Sequence, residues 1–419
     1  MFPTHLQAGL DRIRSGLEDL YRDLHTHPEL SFEEHRTAAL VAGRLRGLRG
    51  WEVVEGVGGT GVVARLDNGP GPVVMLRADM DALPVEERTG LPYASTVRVT
   101  GPDGRTTPVA HACGHDMHVT CLLGALDLLD SDRAAWRGTV LAVFQPAEEL
   151  GKGARAMVED GLFRCFPKPD VLLAQHLAPA PAGWIGLSEG AALAASDGLR
   201  ITLHGRGGHG SRPETTVDPV VMAATTVLRL QTIVSRTVAA TEAAVVTVGA
   251  VHAGTAGNVI ADRAELLLSV RSFTEPVRRR ALDGIARIAE AEAAASAAPR
   301  PPEVEVQHSF PAVVNSPAAV ARLREAFAAV FGAERLLDPG PQPGSEDASE
   351  LVKAAGAACG YWFFGGSDPA AFAGRSLEEA LAGLPSNHSP AFAPVIQPTL
   401  DTGVAAMVLG ALAFLGAPD

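Results

Sequence analysis

The chain has 419 residues, which is more than one compact domain usually holds and predicts two or three domains. Apolar residues make up 47% of it and charged residues 20%, a composition that supports a buried core and argues against disordered and fibrous proteins. The net charge is −13, from 35 basic and 48 acidic residues, and the sequence has no run of Lys and Arg. Nucleic acid and anionic membranes are therefore poor candidates for partners.

The cysteines are Cys113, Cys121, Cys165 and Cys359, and their spacing is not that of a disulfide framework, which favours a reducing compartment. We expect the last three to pack as small apolar side chains. Residues 1–10 lack the pattern of a secretory signal, so the sequence predicts a cytoplasmic protein. The longest apolar stretch, Val404–Pro418, is shorter than the roughly 20 residues of a membrane span, and we expect a buried core helix there.

Helical spacing covers Leu6–Leu48 and is interrupted near Pro28, which predicts two helices. Buried strands are predicted by short β-branched runs without alternation, with a helix over 119–129 between the second and the third run. These runs are Gly61–Leu66, Val73–Ala78, Gly138–Phe144 and Asp170–Ala174. This order of elements indicates an open α/β sheet.

The pattern changes after Ser188. Strands are predicted at 199–204, 244–251, 264–270 and 304–307, with helices over 218–234 and 275–298, which is the β-α-β-β-α-β order of a ferredoxin-like domain. The first pattern then resumes, with a strand at 360–364 and a helix over 400–415. We therefore predict a larger domain in two parts, 1–189 and 312–419, interrupted by a smaller inserted domain, 190–311.

The segment His111–His118 has the densest group of reactive side chains. It holds three of the 13 histidines and one cysteine within eight residues. A glycine-containing loop before a helix lets Cys113 and His115 point toward one spot, and thiolate with imidazole is a ligand set of zinc and similar ions. A cysteine nucleophile and a purely structural loop are the alternatives at this point.

Further candidates follow the ends of predicted strands, where open α/β sheets place ligands and catalytic groups. They are Asp79 and Asp81, Glu148 and Glu149, and His176, and His388 lies in a turn near the C-terminus. Taken singly, the aspartates could cap a helix or turn, the glutamates could lie on a solvated helix, and His388 could be a surface residue.

Four strings together resemble the M20 metallopeptidase family, in the branch of hippurate hydrolases, N-acyl-amino-acid deacylases and auxin-conjugate hydrolases. The strings are Arg77–Pro84, His111–Asp116, Phe144–Glu149 and Gly205–Pro213, and the resemblance covers nearly the whole chain in the right order. It implies an open mixed-sheet catalytic domain with an inserted ferredoxin-like lid and dimerisation domain. It also implies two divalent ions per subunit, with zinc, manganese or cobalt as candidates.

The resemblance carries over site roles by position. Glu148 matches the general base, Asp81 matches an aspartate that orients a metal ligand, and Asp79 stands where other members have a ligand histidine. His111 and His118 match no ligand and are expected to pack or support the site, as Met117 and Phe144 are expected to lie in the core. The metal ligands would be Cys113, His115, Glu149, His176 and His388.

In the inserted domain, His209 matches the residue that stabilises the oxyanion, and Asn258 and Arg271 match residues that hold the substrate. A homodimer or higher homo-oligomer is implied, with His209 acting in the neighbouring subunit. Two positions depart from the family pattern: Ala348 replaces a usual aromatic residue, and Ala261 replaces a common proline. The first predicts an altered acyl-group preference.

The sequence thus predicts a metal-dependent amidohydrolase that cleaves the amide bond of a small N-acyl amino acid, giving a carboxylic acid and a free amino acid. A metallo-carboxypeptidase, a dipeptidase or a biosynthetic deacetylase on the same scaffold is the first alternative. A cysteine amidase, with Cys113 as nucleophile and His115 as base, and a non-enzymatic binding protein are the others.

Overall fold

The computed structural model describes residues 4–101 and 103–417. They form two compact units. The first unit holds the residues up to Ala192, Val314–Gly340 and the residues from Asp347 onward, and the second holds Leu193–Val313 and Pro341–Glu346. The sequence-based boundaries place the short segment 341–346 in the larger domain. It groups with the second unit because Ala194 N donates to Gln342 O at 3.1 Å and Gly344 O at 2.9 Å.

Helices and strands alternate along the first unit and again in the second. The helices are α1 Thr4–Thr26, α2 His35–Arg46, α3 His115–Ser131, α4 Gly153–Glu159, α5 Leu162–Cys165, α6 Pro219–Arg236, α7 Glu275–Ala295, α8 Pro317–Phe331, α9 Ala348–Ala355, α10 Leu377–Leu381 and α11 Thr399–Phe414. The strands are β1 Glu52–Val57, β2 Gly61–Asn68, β3 Val73–Asp79, β4 Arg98–Thr100, β5 Thr106–Pro108, β6 Gly138–Gln145, β7 Val171–Pro181, β8 Ile185–Gly186, β9 Gly190–Leu193, β10 Ala195–His204, β11 Gly208–His209, β12 Ala244–Ala253, β13 Val259–Ile260, β14 Arg263–Ser272, β15 Glu303–Phe310, β16 Val313–Asn315, β17 Leu336–Leu337 and β18 Ala358–Ser367.

The first unit is built on a mixed sheet with the strand order β1-β2-β6-β3-β7-β18-β8-β17. Its centre, β6-β3-β7-β18, is parallel, whereas β1, β2 and β6 pair antiparallel. The predicted α/β class with an open mixed sheet is confirmed. The edge strand β1 was not predicted because its residues, including Glu52 and Glu55, are mostly exposed and carry no apolar pattern.

Helices cover the parallel strands, which explains why those strands read as uninterrupted apolar runs. Helices α1, α3 and α11 pack on one another, α3 also packs on β3, and α11 also packs on β7. Met117 and Phe144 are fully buried, as predicted. The predicted apolar C-terminal helix is α11, and Pro418 lies outside the described residues. In the described part of the chain, no helix has the length and apolar character required to cross a membrane.

The second unit has the β-α-β-β-α-β order that its sequence predicts. Strand β10, helix α6, strands β12 and β14, helix α7 and strand β15 follow one another, and the antiparallel sheet has the order β12-β14-β10-β15. Alternate residues of β14, from Ala264 to Val270, are buried in the core that the sheet shares with α6 and α7.

Candidate metal centre

The cysteine loop is shaped by a glycine at the start of α3. Gly114 precedes the helix with φ 85°, a left-handed conformation that favours glycine. A Cβ atom at this position would lie 2.6 Å from Cδ2 of Leu177, so a larger residue would also require the Leu177 side chain to shift. The turn brings the buried Cys113 next to His115, the first residue of α3.

His176 lies on β7 and presents Nε2, the ring nitrogen with a free lone pair, to the site. Its Nδ1 donates to the carbonyl oxygen of Leu177 at 2.8 Å, which leaves the lone pair on Nε2. Burial and the neighbouring His118 hold the pKa of His176 well below its usual range, so the ring is neutral and suited to a metal ion. Nε2 lies 3.5 Å from Sγ of Cys113.

The two adjacent glutamates follow β6 and are placed by their own backbone. The carboxylate of Asp81 accepts hydrogen bonds from Glu148 N and Glu149 N, each at 3.1 Å, and from the hydroxyl of Ser31 at 2.6 Å. The backbone oxygen of Asp81 accepts a further bond from Nδ1 of His115 at 2.9 Å. Asp81 thus positions both glutamates and His115. The family resemblance implies only that it orients a metal ligand.

His388 reaches the site through a backbone contact between distant loops. Its N–H donates to Ala112 O at 2.8 Å, and the side-chain amide of Asn387 donates to Leu177 O at 3.2 Å and Cys113 O at 3.3 Å. Nε2 of His388 lies 3.3 Å from Oε1 of Glu149, and its side chain is 54% exposed. The loop therefore places a solvent-facing imidazole at the mouth of the site.

The five predicted ligands form two overlapping groups with one shared atom. Donor atoms of Cys113, His115 and His176 lie within 4.8 Å of one another, and so do those of Cys113, Glu149 and His388. Within residues 4–101 and 103–417, the buried His115 Nε2 and Glu149 Oε1 have no hydrogen-bond partner, and they lie 3.9 Å apart. Buried polar atoms are normally paired, so this donor set would fit divalent cations, with Cys113 common to both groups.

The pKa of the Cys113 thiol is shifted in the opposite direction from that of an activated nucleophile. Burial, reinforced by the charge of Glu149, raises its pKa to about 12, whereas reactive cysteines have lowered pKa values. A thiolate at this position needs a cation beside it. This favours the metal-ligand interpretation of Cys113 over the cysteine-amidase alternative.

Asp79 and His118 are close to the ligands but are engaged elsewhere. Nδ1 of His118 donates to Asp79 at 2.6 Å, its Nε2 accepts from Leu177 N at 2.8 Å, and Arg77 donates to the second oxygen of Asp79 at 2.7 Å. Burial raises the pKa of Asp79, but the neighbouring His115, His118 and Arg77 outweigh burial and hold it well below its usual range. These contacts tie β3 to β7 beneath the site.

The three predicted residues of the inserted domain all lie in the second unit. β11 pairs with β13 so that His209 faces Val259, and Asn258 O accepts from Gly210 N at 2.8 Å. Nδ1 of His209 accepts from Ser211 N at 3.2 Å, which places the ring proton on Nε2. The half-buried Arg271 donates to the hydroxyl of Ser345 and to Pro343 O.

Several supporting contacts were missed by sequence reasoning, although all of them come from segments that were noted. His25, to which no role had been assigned, is buried between Asp116 and Glu87, at 2.6 Å and 3.1 Å. Burial lowers its pKa, but these two hydrogen bonds reverse the effect and raise it to about 10. Neither Ser31 nor Asn387 carries a signal of its own in the sequence, although Asn387 precedes the candidate ligand His388.

Other minor expectations have mixed outcomes. Cys121 and Cys359 are buried as expected, whereas Cys165 is exposed, so its expected packing was wrong, because it ends the short surface helix α5. His111 is buried, and neither of its ring nitrogens has a hydrogen-bond partner among the described residues, so its supporting or packing role stays a prediction. The four cysteines of the described chain are free thiols.

Comparison with known proteins identifies relatives that share this fold over most of their length. The chain is 39% identical to the hippurate hydrolase of Campylobacter jejuni over 76% of this chain and 80% of that protein. It is 34% identical to thermostable carboxypeptidase 1 of Saccharolobus solfataricus over 98% of both chains. A crystal structure of a dinuclear metal binding peptidase from the M20 family of Bacillus subtilis superposes with a TM-score of 0.77 and 29% identity, covering 97% of this chain and 100% of that one.

The family model for peptidase family M20/M25/M40 matches residues 75–378, which is more than half of the chain. The match begins within β3 and includes the cysteine loop, both glutamates and His176. The chain belongs to peptidase family M20/M25/M40.

Proposed function

We propose that this protein is a metal-dependent amidohydrolase that hydrolyses the amide bond of N-acyl amino acids to a carboxylic acid and a free amino acid. The observation that carries the proposal is the position of Glu148. This buried carboxylate, 6% exposed, lies with its Oε2 3.9 Å from Nε2 of His115. It belongs to neither of the two groups that share Cys113, although it forms a further group with His115 and Glu149. A binding protein would need no such group, whereas hydrolysis needs a base.

Two divalent cations, with zinc, manganese or cobalt as candidates, would supply Lewis-acid activation of the scissile carbonyl and of a water molecule. Cys113, His115 and His176 would hold one, and Cys113, Glu149 and His388 the other. Glu148 accepts the proton of the attacking water and delivers it to the departing amine. The hydrogen bonds that Glu148 N and Glu149 N donate to the Asp81 carboxylate fix the position of the base relative to the neighbouring ligand.

The second unit supplies the groups for the rest of the substrate. His209 carries its proton on Nε2, from which it would donate a hydrogen bond to the developing oxyanion. Arg271 presents a planar guanidinium suited to a carboxylate, and Asn258 lies next to the β11–β13 pair that carries His209. These assignments predict a preference for substrates with a free α-carboxylate.

The replacement Glu148→Gln tests the proposal. The amide has the same shape but cannot take the proton of water, so turnover of a hippurate-type substrate should fall by at least about 10²-fold, with metal content unchanged. Glu159→Gln is the matched control, because the same change is made on the exposed end of α4. A Glu148→Gln enzyme that turns over near the wild-type rate would contradict the assigned base.

A carboxypeptidase is the second candidate, favoured by the 34% identity to a carboxypeptidase over 98% of both chains. Both activities act on an amide next to a terminal carboxylate, so the site chemistry is the same. Paired substrates decide between them: N-benzoylglycine against dipeptides with a free amino group, on the same manganese- and zinc-loaded preparations. Higher kcat/KM on the dipeptides would favour the peptidase.

We also propose a homodimer, with the second unit as the interface. Helix α6 packs on β12, the edge strand of its sheet. Both expose large apolar side chains, among them Val221 at 57%, Leu228 at 71% and Val245 at 51%. A cytoplasmic location is proposed as well, supported by the four free cysteines. Leu228→Glu should convert the dimer to a monomer in light scattering, whereas a wild-type monomer would contradict the assembly.

A further inference from the structure

The loop between β6 and α4 carries both glutamates and has an unusual backbone. Ala147, directly before Glu148, is fully buried and has φ 48°, a left-handed conformation that is strained for a residue with a Cβ atom. Such a conformation persists only when surrounding contacts hold it. The contacts that hold Ala147 therefore also determine where the next side chain points.

The carbonyl oxygen of Ala147 accepts from Gly153 N at 3.2 Å and Lys152 N at 3.4 Å within the loop, and the contact at its N–H comes from the N-terminal segment of the chain. Oε1 of Glu34 accepts a hydrogen bond from Ala147 N at 2.8 Å, and Oε2 accepts one from the hydroxyl of Thr60. Glu34 is completely buried. Burying a carboxyl group costs free energy unless it is hydrogen-bonded. The bonds from Ala147 N and Thr60 therefore stabilise Glu34 in this position.

Glu34 is not used for the role that its position suggests. It is the N-cap residue of α2, but in the described part of the chain its side chain makes no capping hydrogen bond. The first turn of α2 is instead satisfied by Glu29, which accepts from Arg36 N at 2.9 Å and Thr37 N at 2.8 Å. The carboxyl group of Glu34 is thus committed to Thr60 and to the loop of the glutamates.

Together with Asp81, Glu34 binds three successive backbone amides. Glu34 accepts from Ala147 N, and Asp81 accepts from Glu148 N and Glu149 N. Successive amides beside a left-handed residue form a concave donor site for oxygen atoms. Two carboxyl groups of the chain fill this one, and the side chains of Glu148 and Glu149 project from the same turn.

We propose that Glu34 is a positioning residue that holds Ala147 in the left-handed conformation and thereby aims Glu148 at the reacting water. The proposal rests on the proposed function in that Glu148 is the base. Loss of the acceptor leaves the buried amide of Ala147 without a partner, and the turn relaxes toward an ordinary backbone conformation. A displacement of about 1 Å at the base is enough to lower a rate by about 10²-fold.

The test combines Glu34→Ala with Glu34→Gln, which keeps an acceptor oxygen. We expect kcat to fall about 10- to 100-fold in the first and less than about fivefold in the second, with KM within about threefold in both, because substrate contacts are untouched. Glu29→Ala is the matched control: it removes a carboxyl group from the same segment and should lower the melting temperature while leaving kcat within about twofold.

A second substitution separates backbone control from a general loss of structure. Glycine adopts the left-handed conformation without assistance, so Ala147→Gly should reduce the cost of Glu34→Ala at least about threefold in a double-mutant cycle. If Glu34→Ala does not fold, Glu34→Gln with and without Ala147→Gly provides the same comparison. A cycle with no coupling would overturn the proposal.

Hydrogen exchange gives a readout independent of turnover. The peptide covering residues 144–150 should exchange faster in both Glu34 variants than in wild type, and unchanged in Glu29→Ala. Unchanged exchange in the Glu34 variants would overturn the positioning role. A wild-type enzyme inactive on acyl amino acids, with faster exchange in the variants, would instead reject the proposed function and leave the role of Glu34 in the loop intact.

Discussion

The carboxylate of Asp81 accepts hydrogen bonds from three donors at the site, and Asp81→Asn tests their importance. The wild-type side chain is 1% exposed and accepts hydrogen bonds from Glu148 N, Glu149 N and the Ser31 hydroxyl. Asparagine has the same shape but only one acceptor oxygen. Its NH₂ group must therefore face one of the two backbone N–H groups, and that N–H loses its partner.

The expected magnitude follows from these contacts. An unsatisfied buried N–H costs about 1–3 kcal/mol, and the remaining bond changes from a charged to a neutral acceptor, a loss of about 1 kcal/mol. The free energy of unfolding should then fall by about 2–4 kcal/mol. Because the affected amides belong to the base and to a ligand, kcat/KM should also fall, by at least about tenfold.

Urea unfolding and steady-state kinetics on metal-saturated enzyme measure the two effects. Ser31→Ala is the control, since it removes one hydroxyl donor to the same carboxylate and leaves both backbone contacts. Its unfolding free energy should fall by only about 1 kcal/mol. An Asp81→Asn protein with wild-type stability and rate would refute the reasoning that this carboxylate holds the two glutamates.

Three further predictions concern the ligands and the second unit. Cys113→Ala should lose bound metal as well as activity, because the atom shared by both ligand groups is removed, and retention of two ions by mass spectrometry would reject the assignment. Arg271→Lys should raise KM for free-carboxylate substrates with little change in metal content, since a point charge replaces a two-pronged contact, and a wild-type enzyme indifferent to amidated substrates would remove this role. Inactive Glu148→Gln and His209→Ala subunits should regain activity when exchanged into heterodimers if His209 serves the neighbouring subunit; inactive heterodimers, once shown to form, would contradict that arrangement.

The sequence predicted those parts of the fold in which burial restricts the residue type. Strands β2, β3, β6 and β7 appear as apolar runs because helices or neighbouring strands cover them, and the β-α-β-β-α-β order of the second unit follows from the same patterning. Strand β1 was missed because an exposed edge places little restriction on its side chains. The sequence places the segment 341–346 in the other unit because its bonds to Ala194 are made by backbone atoms, which any sequence carries.

In the candidate site, too, some features follow from the sequence and others only from the tertiary structure. The sequence by itself determined which side chains could bind metal and take a proton, since thiol, imidazole and carboxyl groups are fixed by residue type. Cys113 with His115, and Glu148 with Glu149, also occur in short motifs. Tertiary structure decided their arrangement: Asn387 meets Cys113 across 274 positions, and Glu34 meets Ala147 across 113. Contacts of this kind depend on chain closure and on backbone amides, neither of which leaves a local pattern in the residues, so only the folded chain shows how the two glutamates are held.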